Sequence, residues 1–144
     1  MKKVIALISA LTLVFGFTAV YAVESATSMS AFALKDREVI NYQSEILGKI
    51  RNVVLDPQTN RVSIVMISGD EVGIGDKLIP VPVTALTLVG DNIVLDTNKS
   101  QMAQAPSYDR TDLPSISDRT KYEQTYRYFG IRPQWELKGP YMNK

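Results

Sequence analysis

The chain has 144 residues, with 16 basic and 15 acidic side chains and neither cysteine nor histidine. That length fits one domain with a short appendage, and the balanced charge argues against a general attraction to nucleic acid or anionic membrane. Without cysteine there are no disulfides, thiolate nucleophiles or zinc–cysteine sites, and without histidine the usual general base and the commonest metal ligand are missing.

The first 22 residues have the three-part pattern of a bacterial-type secretory signal. Lys2 and Lys3 form a positive start, and Val4 to Phe17 is apolar apart from Ser9, Thr12 and Gly16. Val20 and Ala22 then place small residues at the −3 and −1 positions of a cleavage site. The uncharged run Val4–Val23 is also about long enough to span a bilayer. Its polar interruptions and the site after Ala22 favour cleavage over an uncleaved anchor. The expected product is a periplasmic or secreted protein with no stable membrane insertion, carrying 14 basic and 15 acidic residues.

After the leader, residues 23–33 are small, polar and aperiodic, the composition of a flexible lead-in. From Leu34 the chain changes to short apolar runs separated by turn residues. Glu38–Tyr42 and Ile46–Leu55 read as strands, with Gly48 marking a bulge or a close backbone approach. Asp56-Pro57-Gln58-Thr59-Asn60 supplies turn chemistry. Arg61–Ser68 is apolar on both sides toward its end, as in a central strand buried on two faces.

Gly69–Lys77 reads as a loop. In Leu78–Val83, Pro80 and Pro82 occupy alternate positions, so both nitrogens face the same unpaired side and the segment is an edge strand or a barrel rim. Thr84–Val89 and Asn92–Asp96 form a hairpin around Gly90-Asp91. Asn98 and Gln101 have capping-box spacing for a short helix that Pro106 closes. Together these elements predict an all-β domain over residues 34–108, a small barrel or sandwich with a short helix after its last strand.

These segments, taken in order, resemble a PRC-barrel domain. The resemblance is carried by Glu45-Ile46-Leu47-Gly48-Lys49-Ile50, by Val54-Leu55-Asp56-Pro57 through Asn60-Arg61-Val62, and by Gly73-Ile74-Gly75-Asp76-Lys77 with Ile79-Pro80-Val81-Pro82. Ala85-Leu86, Leu95-Asp96, Gln101-Met102 and Ala105-Pro106 complete it. It implies a small, highly curved β-barrel that serves as a docking module rather than a catalyst, as in the photosynthetic reaction-centre H subunit and a ribosome-maturation factor. Two positions depart from the pattern: Asn60 stands where glycine is common, and Val83 where a tryptophan often follows the second proline.

Residue chemistry points the same way. Gly73-x-Gly75 has Leu78 where a third glycine would stand and precedes a proline-rich strand, so it reads as a structural loop rather than a phosphate cradle. Asp70, Glu71 and Asp76 put three carboxylates in loop 69–77, which makes a ligand or cation binder the alternative function. Their spacing matches no calcium loop, and a solvated acidic turn is the plainer reading. No arrangement pairs a nucleophile with an activating base, so no catalytic residue, metal ligand or cofactor is expected.

The segment 109–144 is the tail. A helix is predicted near 120–129, with Thr120 and Glu123 spaced as a capping box and Gly130 as its stop. Tyr122, Tyr126 and Phe129 share one face of it. Residues 118–144 hold six aromatics and a net charge of +3, against −2 over 34–108. Two readings follow. In the first, the tail folds back over an open rim of its own barrel with Trp135 as anchor, which is preferred because a small barrel has few apolar residues to spare. In the second, Tyr126, Phe129, Arg132 and Trp135 contact a partner, since aromatic and arginine side chains dominate interface energetics. That partner is a protein or a second copy of the chain, and export argues against nucleic acid. The exported protein is expected to begin at Val23 by intact mass; a product retaining Met1 or Lys2 would overturn cleavage.

Overall fold

The computed structural model describes residues 31–115 and 118–137. The leader, most of the lead-in and the end of the tail, Tyr141 included, lie outside the described residues. A short helix, α1 (Ala31–Leu34), leads into six strands: β1 (Glu38–Ile40), β2 (Ile46–Asp56), β3 (Arg61–Ser68), β4 (Leu78–Pro82), β5 (Leu86–Val89) and β6 (Asn92–Leu95). Three helices follow, α2 (Lys99–Gln104), α3 (Arg119–Tyr128) and α4 (Gln134–Leu137). The strands form one sheet in the order β4-β3-β2-β1-β6-β5. All neighbours are antiparallel except β1 and β6, which run parallel. This is a mixed, strongly curved half-barrel with a few short helices.

Local chemistry sets the turns. At the β1–β2 corner the Asn41 side chain accepts from the Gln43 and Glu45 amides at 3.0 and 2.9 Å and donates to the Glu45 carboxylate at 2.7 Å. Those bonds satisfy an amide that is only 1% exposed. At the β2–β3 corner the Asp56 carboxylate accepts from the Gln58 amide at 2.8 Å, and Asn60 takes the left-handed conformation at φ 55°. Asn98 caps α2 through the reciprocal bonds expected of a capping box.

Curvature comes from β2, which pairs with β1 at its start and with β3 along the rest. Val39 faces Gly48 and Ile40 faces Ile46, so Leu47 is the extra residue of a bulge. Leu47 and Ile50 are both fully buried there. With Val39, Val65, Ile67, Ile79, Val81, Ile93, Leu95 and Met102 they fill the concave side of the sheet.

The two outer edges differ. On β4, Leu78 exchanges backbone hydrogen bonds with Tyr108 at 2.8 and 2.9 Å. Pro80 and Pro82 lie in phase with Leu78, so their nitrogens face the same way and carry no proton to leave unpaired. On β5 neither protection is present among the described residues.

Every residue from Ile64 to Ser68 is buried, as a two-faced strand requires. Val65 and Ile67 point into the half-barrel, while Ile64 and Met66 point outward into a second apolar cluster with Leu78, Tyr122 and Tyr126.

A methyl group on Gly48 would lie 2.3 Å from the Ser68 carbonyl oxygen and 2.6 Å from Ile67 Cγ2, at a φ of +154°. Gly48→Ala is therefore expected to lower unfolding stability by roughly 2–4 kcal/mol in urea titrations, through strain and overpacking. Gly73→Ala, whose new methyl meets open space at φ +84°, should cost only about 1 kcal/mol of strain. Equal losses for the two would refute the close-approach account.

Candidate functional site

Helix α3 positions most of the candidate contact residues. Its start is set by Asp118, whose carboxylate accepts from the Lys121 amide at 3.3 Å, so the cap lies two residues before the expected Thr120. Gly130, at φ 68°, ends it as expected. The inner face presents Tyr122, Thr125 and Tyr126, all buried, to the outward side of β3 and β4. Tyr122 donates its hydroxyl to the Pro114 carbonyl at 2.8 Å, and the Tyr126 hydroxyl reaches the Ser63 carbonyl at 3.4 Å. Trp135, on α4, meets the Tyr126 ring edge to face with centroids 5.2 Å apart.

The four sequence-predicted contact residues therefore occupy different settings. Tyr126 is 2% exposed and forms part of the packed interior. Trp135 is half-buried against it. Phe129 is half-buried too, packed on the concave-side core and edge to face with Tyr128 at 5.3 Å. Arg132 is exposed. The surface under the tail is the outer face of β3 and β4 rather than a rim, and Tyr126 is its central aromatic.

Thr120, Gln124, Arg127 and Tyr128 form the outward face of α3, with Arg119 and Arg132 exposed at its two ends. Tyr128, absent from the sequence-based set, is 41% exposed and donates to the Gln101 carbonyl at 2.5 Å, tying α3 to α2. Its position off the Tyr122–Tyr126–Phe129 stripe was the available signal. Arg127 pairs with Glu123 one turn earlier, and Lys121 with Asp118. Lys121 also lies 5.7 Å above the Tyr108 ring. No ion pair involves Arg119 or Arg132 among the described residues.

Elsewhere, loop 69–77 opens with a 3-10 turn, Asp70–Val72, whose acids are exposed, as is Asp76. Among the described residues no three acidic side chains gather in a group that could hold a metal ion. A shallow groove of about 300 Å³ is lined by Ala31, Lys35, Arg51, Asn52 and Val53. Arg51 there is already paired with Asp36 at 3.0 Å, and the described lining places no activating base beside Lys35. No helix among the described residues is long and apolar enough to cross a membrane.

The family model described as the PRC-barrel domain matches residues 27–102. No curated protein matches the chain.

Burial gives the tail a chemical signature. It pushes the Tyr126 hydroxyl up to about 12, with a smaller push from the Asp56 carboxylate. Tyr122 is raised by burial and then by Tyr108 and Asp118. Tyr108 is also raised by burial, against the opposing pull of Lys121. A phenol whose folded pKa exceeds its unfolded value of about 10 adds stability that is complete below pH 10 and lost as pH rises through the folded value. Stability should fall between pH 10 and 12, and Tyr126→Phe should flatten that fall while leaving the neutral-pH fold intact. A profile as steep in the variant as in the parent would exclude Tyr126 as its cause.

Proposed function

The match spans more than half of the chain, which therefore belongs to the PRC-barrel domain family, and on that footing we propose that it is an exported, non-enzymatic docking module for a protein partner. The observation that carries this reading is the division of α3 into two faces. Its aromatic inner face is used up in packing on β3 and β4, whereas its outer face presents Arg119, Gln124, Arg127 and Tyr128 and continues to Arg132. Residues 119–137 carry four basic side chains against Glu123 and Glu136. A surface of arginine and tyrosine on a rigid helix suits an acidic protein surface, with the charges steering encounter and the aromatic ring supplying contact area. Export rests on the signal pattern of residues 1–22 and would place that partner in the periplasm or outside the cell. The lack of histidine and cysteine, and of any paired nucleophile and base, supports a binding role over catalysis.

The test is cross-linking capture from the cell envelope with the full chain, its Arg119→Glu/Arg132→Glu variant and a control, Arg61→Glu, on the β2–β3 corner. All three substituted residues are exposed, so melting temperatures should agree. The double variant should lose at least about tenfold in capture of an acidic protein, with the parent's capture weakening as salt rises. Equal capture by all three proteins would remove α3 as the docking surface.

A further inference from the structure

We infer that β5 pairs edge to edge with β5 of a second copy of this chain, forming a weak twofold dimer that uses neither α3 nor its charges. The starting point is the contrast between the two ends of the sheet. A strand edge is a row of backbone donors and acceptors that either meets another strand or is blocked. β4 is blocked: Tyr108 holds its first residue, Pro80 and Pro82 remove two protons, and α3 packs beside it. β5 is paired with β6 on one side, and its other side has no backbone partner among the described residues. It also lacks the usual protections, since Val83–Gly90 holds no proline, lysine or other charged residue. Two of its apolar side chains are open to solvent, Leu88 at 38% and Val89 at 50% exposure.

An occupant of that edge must offer an extended strand of its own. In a second copy the β4 edge is closed, so β5 is the strand that can answer, and two β5 strands meet antiparallel about a twofold axis. Opposed residues in such a pair point to the same face. The axis must therefore pass beside a residue, not between two. Centred on Leu88, it sets Leu88 against Leu88 of the partner subunit and each Val89 against the other copy's Thr87, covering both exposed apolar side chains. Asp91, the nearest charge, then falls opposite Ala85 across the axis, so no like charges meet. Because the β4 edge cannot accept a strand, the pairing closes at two copies and does not run on as a fibre. Few residues are paired, so the interface lies at the small end of specific contacts and the dimer forms only at high concentration.

The chain has no cysteine, so a single introduced one reports its own neighbours. Leu88→Cys should give a disulfide-linked dimer under mild oxidation, because directly opposed positions bring the β-carbons within disulfide reach. Tyr42→Cys, more exposed at 60% but away from the edge, should cross-link several-fold more slowly. In sedimentation, the parent should shift toward dimer with rising concentration, Val89→Lys should stay monomeric, and Arg119→Glu/Arg132→Glu should dimerise like the parent. Val89 is half exposed, so that lysine leaves folding intact, as an unchanged melting temperature would confirm. A parent that stays monomeric at millimolar concentration, a dimer indifferent to Val89→Lys, or equal cross-linking from positions 42 and 88 would each overturn the proposal.

Discussion

At Gly48, the backbone of β2 comes so near to β3 that the space an alanine methyl would need is occupied by the Ser68 carbonyl and the Ile67 side chain. The rest of the half-barrel depends on that approach. Beside it, the Ser68 hydroxyl accepts from the Lys49 amide at 3.0 Å, which gives a side chain 2% exposed a partner within the sheet. Because β2 bends here, its first residues serve β1 and its later ones serve β3. One strand thus joins the β1-β6-β5 half to the β3-β4 half and turns both around the same interior. A larger residue would force the two halves apart, and the buried Leu47 and Ile50 would lose their neighbours together.

A sheet curved this tightly has a small concave side, and its convex side carries apolar residues that need cover as well. On β3 and β4 those are Ile64, Met66 and Leu78, and the tail supplies the cover through Tyr122, Tyr126, Leu113, Ile131 and Trp135. Tyrosine suits the position because its ring buries apolar area while its hydroxyl finds a backbone carbonyl. The aromatic richness of the tail is thus divided. Tyr122 and Tyr126 serve the fold, and Tyr128 and the arginines are left toward solvent.

The features legible in the sequence are those that local chemistry decides. The Asp56–Asn60 corner, the alternate prolines of β4, the Asn98 box and the two-faced apolar run of β3 each announce themselves within a few residues, and the structure has them where they were expected. The parallel pairing of β1 with β6 could not be read, because it depends on residues more than fifty positions apart, Val39 with Ile93 and Ile40 with Val94. Asp118 and Thr120 are both good caps, and the spacing of Thr120 with Glu123 locally favours the later one. The packing of Tyr122 against Ile64 and Met66 accompanies the earlier one. The periodicity of Tyr122, Tyr126 and Phe129 marks a shared face for the first two only: Phe129 is the cap residue beyond the last turn and packs on the concave-side core instead. Exposure of Arg132 and burial of Tyr126 are consequences of tertiary docking, and nothing in spacing alone separates them.

Two apolar clusters give this small chain two opening free energies. The interior cluster is knit by five strands, β1 to β4 and β6, and by α2, whereas the outer one is closed on one side only by the tail. Parting α3 from β3 and β4 breaks the second without disturbing the ladder hydrogen bonds that hold the first, so the helix is the natural unit of sub-global opening. Amide hydrogens of α3 would then exchange with solvent on a faster clock than those of β2 and β3. Ionisation of Tyr126 would speed that clock as well as lowering global stability, because its hydroxyl is buried against Ser63 of β3.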